Sequence, residues 1–198
     1  RQITYQEQKT YFDVLRLTVD DKYSWDFAML GVGLRYINGV GKPDMLHYVE
    51  SFGMEGHYDF ASNRGYIWSR TFPLLKRALL LGVGQDNFAY AFPNDDYVGK
   101  VNCGFNEQIV TKPHNMYLQI WVQDGLPALL AFLALYLLLF GRTIRKCFKK
   151  GKWNHSHKIS LAFLCGVSGY FVAGLANDSS ICVAPVFWVL FGVAFAVL

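Results

Sequence analysis

The sequence predicts an all-α fold, a polytopic helical membrane protein fragment with three transmembrane helices and a largely helical external segment. Three observations predict it. Beyond position 125 lie three long runs without a charged residue, Leu126–Phe140, Ile159–Ala176 and Ile181–Leu198. Every Lys and Arg after that position falls between Arg142 and Lys158, a stretch that holds no acid. Hydrophobic residues make up 53% of the 198 and charged residues 17%, below the roughly 25% of an ordinary soluble domain. The same composition excludes other classes. Aromatics at 17% exclude a disordered chain, and four Cys are too few for a disulfide scaffold.

Residues 1–125, taken first, are aromatic-rich and mixed in charge. Phe27–Ile37 is apolar but too short to span a membrane, and is expected to be a helix lying on the membrane or against the bundle. Asn38–Asp44 is a loop by its Gly and Pro content. Over Ser62–Leu81, Ser62 or Asn63 caps a helix that begins near Gly65, with Ile67, Trp68, Leu74, Leu75 and Leu79 as an apolar stripe. Arg70 and Arg77 are seven apart and share a face. Pro73 should kink or divide this helix, and Gly82-Val83-Gly84 should end it. Pro113 sets an extended approach to a helical run opened by His114, and Asp124-Gly125 breaks that run.

The spans follow at about 126–144, 159–176 and 181–198. Pro127 sits in the first turn of the first, where its missing N–H costs nothing. The loop 141–158 carries Arg142, Arg145, Lys146, Lys149, Lys150, Lys152 and Lys158, so the positive-inside rule makes it cytoplasmic. Residues 1–125 and the turn Asn177–Ser180 then lie outside. The chain has no initiator Met and ends within an apolar run, and it is expected to be a piece of a longer polytopic protein. Cys103 is then external, Cys147 cytoplasmic, and Cys165 and Cys182 within spans, with no CxxC among them.

Several motifs carry no chemistry. GVGQDNF lacks the Lys-Ser/Thr of a phosphate loop and reads as a turn. Asp95-Asp96 reads as a solvated turn rather than a metal site. His155 and His157 have no Cys partners for zinc. No metal and no cofactor are expected, and flanking apolar runs argue against nucleic acid as a partner of the basic loop. The external arginines Arg64, Arg70 and Arg77 have two readings. They bind a diphosphate, bidentately and always charged, or they neutralise lipid headgroups and nearby acids. His114 likewise is either a structural hydrogen-bond donor or a base, since a neutral imidazole accepts a sugar hydroxyl's proton near neutral pH.

The order Asn63-Arg64-Gly65-x-Ile67-Trp68, Leu80-Leu81-Gly82-Val83-Gly84-x-x-Asn87-Phe88, His114-Asn115-x-Tyr117-Leu118-Gln119 and Gly125-Leu126-Pro127, followed by spans, resembles the O-antigen ligase and polysaccharide polymerase family of bacterial envelopes. The resemblance covers roughly residues 60–145 well and the final spans moderately, while residues 1–55 carry none. It implies a multi-pass enzyme of the bacterial cytoplasmic membrane with its site on the external face. Such an enzyme is a metal-independent inverting glycosyltransferase, and its donor is a polyprenyl diphosphate-linked glycan. The acceptor is a lipid-linked group or another glycan, and membrane lipids are the remaining partners. By position, Arg64 matches the loop arginine that engages the donor diphosphate, and His114 matches the essential His proposed as base. Arg70 and Arg77, without a secure counterpart, and Asn115 are expected to bind substrate. Arg64 and His114 are expected to face one cavity. Family members have earlier spans, so this piece is expected to be inactive alone. The alternative is a non-enzymatic transporter or flippase component for glycan-lipids. It predicts ionisable residues deep inside spans, and the three runs contain none.

Overall fold

A computed structural model describes residues 13–19, 23–38, 41–104, 108–148 and 153–198. Expectations for residues 1–12 and for Lys149, Lys150 and Lys152 of the basic loop fall outside the described residues. The chain divides into two compact units. One combines residues up to Val49 with Asn94–Gln108, and the other combines Glu50–Pro93 with Ile109–Leu198.

The first unit overturns the all-α expectation. It holds a four-stranded antiparallel sheet in sequential order, β1 (Asp13–Val19), β2 (Tyr23–Leu30), β3 (Gly33–Ile37) and β4 (Pro43–Asp44). The apolar stretch expected as a helix, Phe27–Ile37, is the end of β2, a tight turn and β3. Leu30 pairs with Gly33 across the two residues Gly31 and Val32. The reason is a period of two. In β2, Trp25, Phe27 and Met29 alternate with Ser24, Asp26 and Ala28, and in β1 Leu15 and Leu17 alternate with Arg16 and Thr18. Register places Arg16 opposite Asp26, and their side chains form a two-pronged ion pair at 2.6 and 2.7 Å.

After β4, the same unit takes up α3 (Tyr97–Asn102). Asp96, expected in a solvated turn, is instead buried and caps α3 by accepting from the Gly99 N–H at 3.0 Å. Tyr97 donates its hydroxyl to Asp44 at 2.6 Å and lies 4.6 Å from the Tyr36 ring, tying α3 to the sheet.

The second unit is helical: α1 (Phe60–Arg77), α2 (Phe88–Ala91), α4 (Met116–Asp124), α5 (Leu126–Cys147), α6 (His155–Ala173) and α7 (Ala184–Ala196). Helical dihedrals in α1 are interrupted at Ala61, Ser62 and Asn63, which have φ of 51, 60 and 66°. The break expected at Pro73 is therefore at the other end. Pro73 cannot donate to the carbonyl of Ser69, and the Phe52 N–H takes that carbonyl at 2.9 Å, so the helix continues through the proline. The regular part ends at Arg77, before Gly82, so the Gly82-Val83-Gly84 turn does not terminate it.

That turn has another task. Val83 and Gly84 donate their N–H groups to the carbonyls of Val122 and Gln123, at 2.8 and 2.9 Å, satisfying the end of α4. A Cβ on Gly82 would lie 2.3 Å from the Gln123 carbonyl, and one on Gly125 would lie 2.2 Å from the Leu80 carbonyl. Only glycine lets the two backbones meet. Gly125, at φ 92°, then turns the chain from α4 into α5.

Helices α5, α6 and α7 run antiparallel in sequence. Phe132, Leu139, Leu164, Phe171, Phe187 and Phe191 fill the space between them. Their rings stack in series, Tyr136 on Phe171 at 4.1 Å and Tyr170 on Phe187 at 4.0 Å. At one end, Lys146 donates to Ser156, Ser160 and the Val197 carbonyl, so one ammonium joins all three helices and meets the negative end of α7. Outward-facing Leu130, Leu137, Leu138, Val186 and Val189 leave the exterior apolar as well. Among the described residues one helix, α5, is long and apolar enough to cross a membrane.

Candidate functional site

The site is built around α4. Pro113 is buried, and its carbonyl accepts from the Trp68 indole N–H at 2.8 Å, which fastens the loop to α1. His114 follows at φ 52°, a left-handed residue that reverses the chain just before the helix. His114 was expected to open the helical run; it stands outside the run instead. The cap is Asn115, whose side-chain oxygen accepts from the N–H groups of Tyr117 and Leu118 at 3.0 and 2.9 Å. Its amide also donates to the Leu175 carbonyl at 2.8 Å. Asn115 is thus engaged in holding α4 against the α6–α7 turn. The Met116 N–H bonds the Gly174 carbonyl at 2.8 Å, and a Cβ on Gly174 would lie 2.6 Å from the Met116 side chain.

This docking brings Asp178 to His114. Nδ1 of His114 lies 2.8 Å from Oδ2 of Asp178, with the imidazole 47% exposed and the carboxylate side chain 10%. A carboxylate oxygen accepts, so Nδ1 is the donor of this contact and Nε2 is the ring nitrogen not engaged by Asp178. Oδ1 of Asp178 is buried without a hydrogen-bond partner among the described residues. Sequence reasoning passed over Asp178, although it is the one acid after Gly125.

His114 and Asp178 line a cavity of about 420 Å³ with Lys112, Asn177, Ser180 and Tyr170. A second cavity of about 490 Å³ adjoins it, and Lys112, Met116, Tyr170 and Ser180 belong to both walls. Lys112 is half-buried with no ion-pair partner among the described residues.

The arginines lie outside both walls. Arg64 opens the regular part of α1, where Nη1 donates to the Ala61 carbonyl at 2.7 Å and Nε is buried without a hydrogen-bond partner among the described residues. Its neighbour Gly65 allows the loop to cross the helix, since a Cβ there would lie 2.1 Å from the His57 carbonyl. One helical turn beyond Arg64 is Trp68, so the Trp68–Pro113 hydrogen bond is the link between Arg64's helix and His114's loop. Arg70 is 9% exposed, its guanidinium 4.8 Å from the Tyr58 ring and 4.5 Å from the Tyr66 ring. That is a packing role, by cation–π contact. Arg77 is exposed in the last turn of α1 and does not share Arg70's surroundings. Among the described residues no group of His, Cys, Asp and Glu is arranged to hold a metal.

A family model described as O-antigen ligase matches residues 23–133, more than half of the chain. The match takes in β2 to β4, which had shown no resemblance, and extends into α5. No curated protein and no solved structure matches the chain.

Proposed function

The chain belongs to the O-antigen ligase family, and from that premise we propose that it is an inverting membrane glycosyltransferase. It moves a glycan from a polyprenyl diphosphate carrier to a lipid-linked or glycan acceptor. Membership supplies the coarser part, a membrane protein acting on lipid-linked glycans in envelope polysaccharide synthesis. In the fuller reading α5, α6 and α7 all span the bacterial inner membrane, with α4 and the α6–α7 turn on the external face and Lys146 at the cytoplasmic end.

The observation that carries the chemistry is the 2.8 Å contact of His114 Nδ1 with Asp178. Nε2 takes the proton of the acceptor hydroxyl as that oxygen attacks the anomeric carbon. The bond from that carbon to the diphosphate oxygen breaks, and the carbon inverts. Asp178 orients the imidazole and stabilises the imidazolium. Arg64 leaves the Ala61 carbonyl to meet the charge that develops on the leaving diphosphate, the work a metal ion performs in other enzymes. Lys112 faces the same cavity as His114 and adds positive charge beside it.

The test is His114→Gln in the full-length protein. Gln keeps hydrogen bonding without basicity, and loss of a general base costs ~10²–10⁴-fold. Glycan transfer should fall below detection in cells while the protein still inserts in the membrane. Normal transfer by this variant would overturn the base role.

A further inference from the structure

The second cavity, of about 490 Å³, is of a size that takes a small ligand. Its wall contains two glutamines on successive turns of α4. Gln123 is 3% exposed, and among the described residues nothing hydrogen-bonds its carboxamide, whose polar atoms keep access to the cavity. Gln119 accepts from the Ser179 N–H at 2.8 Å, and its NH₂ has no acceptor among the described residues. An amide that opens on a cavity without a protein partner is free to bond what enters it, as donor and as acceptor. Two in one wall, facing a cavity, mark a place for a ligand that brings donors and acceptors. At the rim Asp124 binds Gln85 at 2.6 Å, and Asp86 adds a second carboxylate. These two carboxylates outnumber the one ammonium of the wall, Lys112, and carboxylates accept from hydroxyls and repel anions. Ile120, Phe132 and Tyr170 supply an apolar side for the C–H face of a ring.

We propose that this cavity is a sugar subsite that takes one neutral, hydroxyl-rich ring of the glycan substrate, with Gln123 as a specificity-determining residue. The proposal rests on the glycosyltransferase reading, because the cavity meets the His114 cavity through Lys112, Met116, Tyr170 and Ser180. The ring belongs to the donor glycan or to the acceptor glycan, and the chemistry of recognition is the same for both.

Gln123→Met keeps the volume and the helix preference and removes the amide. A merely structural Gln123 would lose stability on this change. A ligand-directed one leaves the melting temperature equal or higher. Saturation-transfer NMR on the full-length protein in nanodiscs reads binding of N-acetylglucosamine and galactose as probes, with glucuronic acid as the anionic counterpart. The neutral sugars should give signal in the wild type and lose it in Gln123→Met, and glucuronic acid should give none. In transfer assays KM should rise about tenfold, the scale of one hydrogen bond, for whichever of donor and acceptor seats its ring here. Equal neutral-sugar signals in wild type and Gln123→Met overturn the subsite, as does a wild type that binds neither sugar and holds only water in the cavity. Normal transfer by His114→Gln would instead remove the catalytic reading, whatever the sugar signals show.

Discussion

His114 is placed by its neighbours. Pro113 fixes the approach, the left-handed φ of 52° keeps His114 out of the helix, and Asn115 starts α4. The order His-Asn marked a candidate site through the family resemblance, with Asn115 expected at substrate, whereas the Asn115 side chain is engaged as the cap of α4. Asp178 was not readable, because it lies 64 positions further on and is brought near by the docking of Asn115, Met116 and Gln119 on Leu175, Gly174 and Ser179. Asp178→Asn keeps the shape of the acid and removes its charge. It should leave KM and insertion unchanged and lower kcat by about tenfold or more, short of the ~10²–10⁴ lost with the base itself. An Asp178→Asn enzyme with unchanged kcat would mean that the carboxylate only secures the turn. Arg70 gives the opposite lesson. A seven-residue spacing from Arg77 suggested a shared face, but the rings of Tyr58 and Tyr66 enclose one guanidinium and leave the other in solvent.

Among the elements, the sheet shows most directly why pattern outranks composition. Apolar content alone suggested a helix at Phe27–Ile37, while the alternation of Trp25, Asp26, Phe27 and Ala28 specified a strand. The last link of α3 to that sheet is the Tyr97–Asp44 hydrogen bond, which holds the Asp44 carboxyl below its ordinary value. Burial, and secondarily Asp44, pushes the Tyr97 hydroxyl up from 10.0 to about 12. The signs differ at the two ends of the pH scale. A depressed carboxyl stabilises above its unfolded value and loses that contribution as pH falls through the folded one. A raised phenol stabilises below 10.0 and loses its contribution as pH climbs from there to about 12. Tyr97→Phe should therefore cost about 1 kcal/mol near pH 7, allowing for the partial exposure of the pair. The gap to wild type should narrow as pH falls below 3.8 and again as pH climbs from 10.0 to about 12, where the wild type itself is weakened. Melting curves followed by Trp25 fluorescence check this, and a gap independent of pH would remove Asp44 from the account.

At the scale of the whole molecule, α5, α6 and α7 overlap the three long uncharged runs of the sequence, whereas the short α2 falls where a turn was expected. Whether each crosses a membrane is a separate matter from whether it is helical. α6 begins with His155, His157 and Lys158 and α7 has 13 residues, whereas α5 has 22 and a continuous apolar body. Leu137 lies at the middle of α5 and is 64% exposed on the outside of the bundle. An outward Leu in water would tolerate a charge, and an outward Leu in lipid would not. Arg at the centre of a span costs ~2.5–3.5 kcal/mol of insertion, enough to change the inserted fraction by about a hundredfold. Leu137→Arg should therefore lower the carbonate-resistant membrane fraction of the full-length protein. Leu81→Arg, at a residue 88% exposed in the turn beyond α1, should leave that fraction unchanged. If both variants insert like the wild type, α5 does not present Leu137 to lipid. The outward face of the bundle would then have to be covered by protein, and the external placement of the His114 cavity would lose its support.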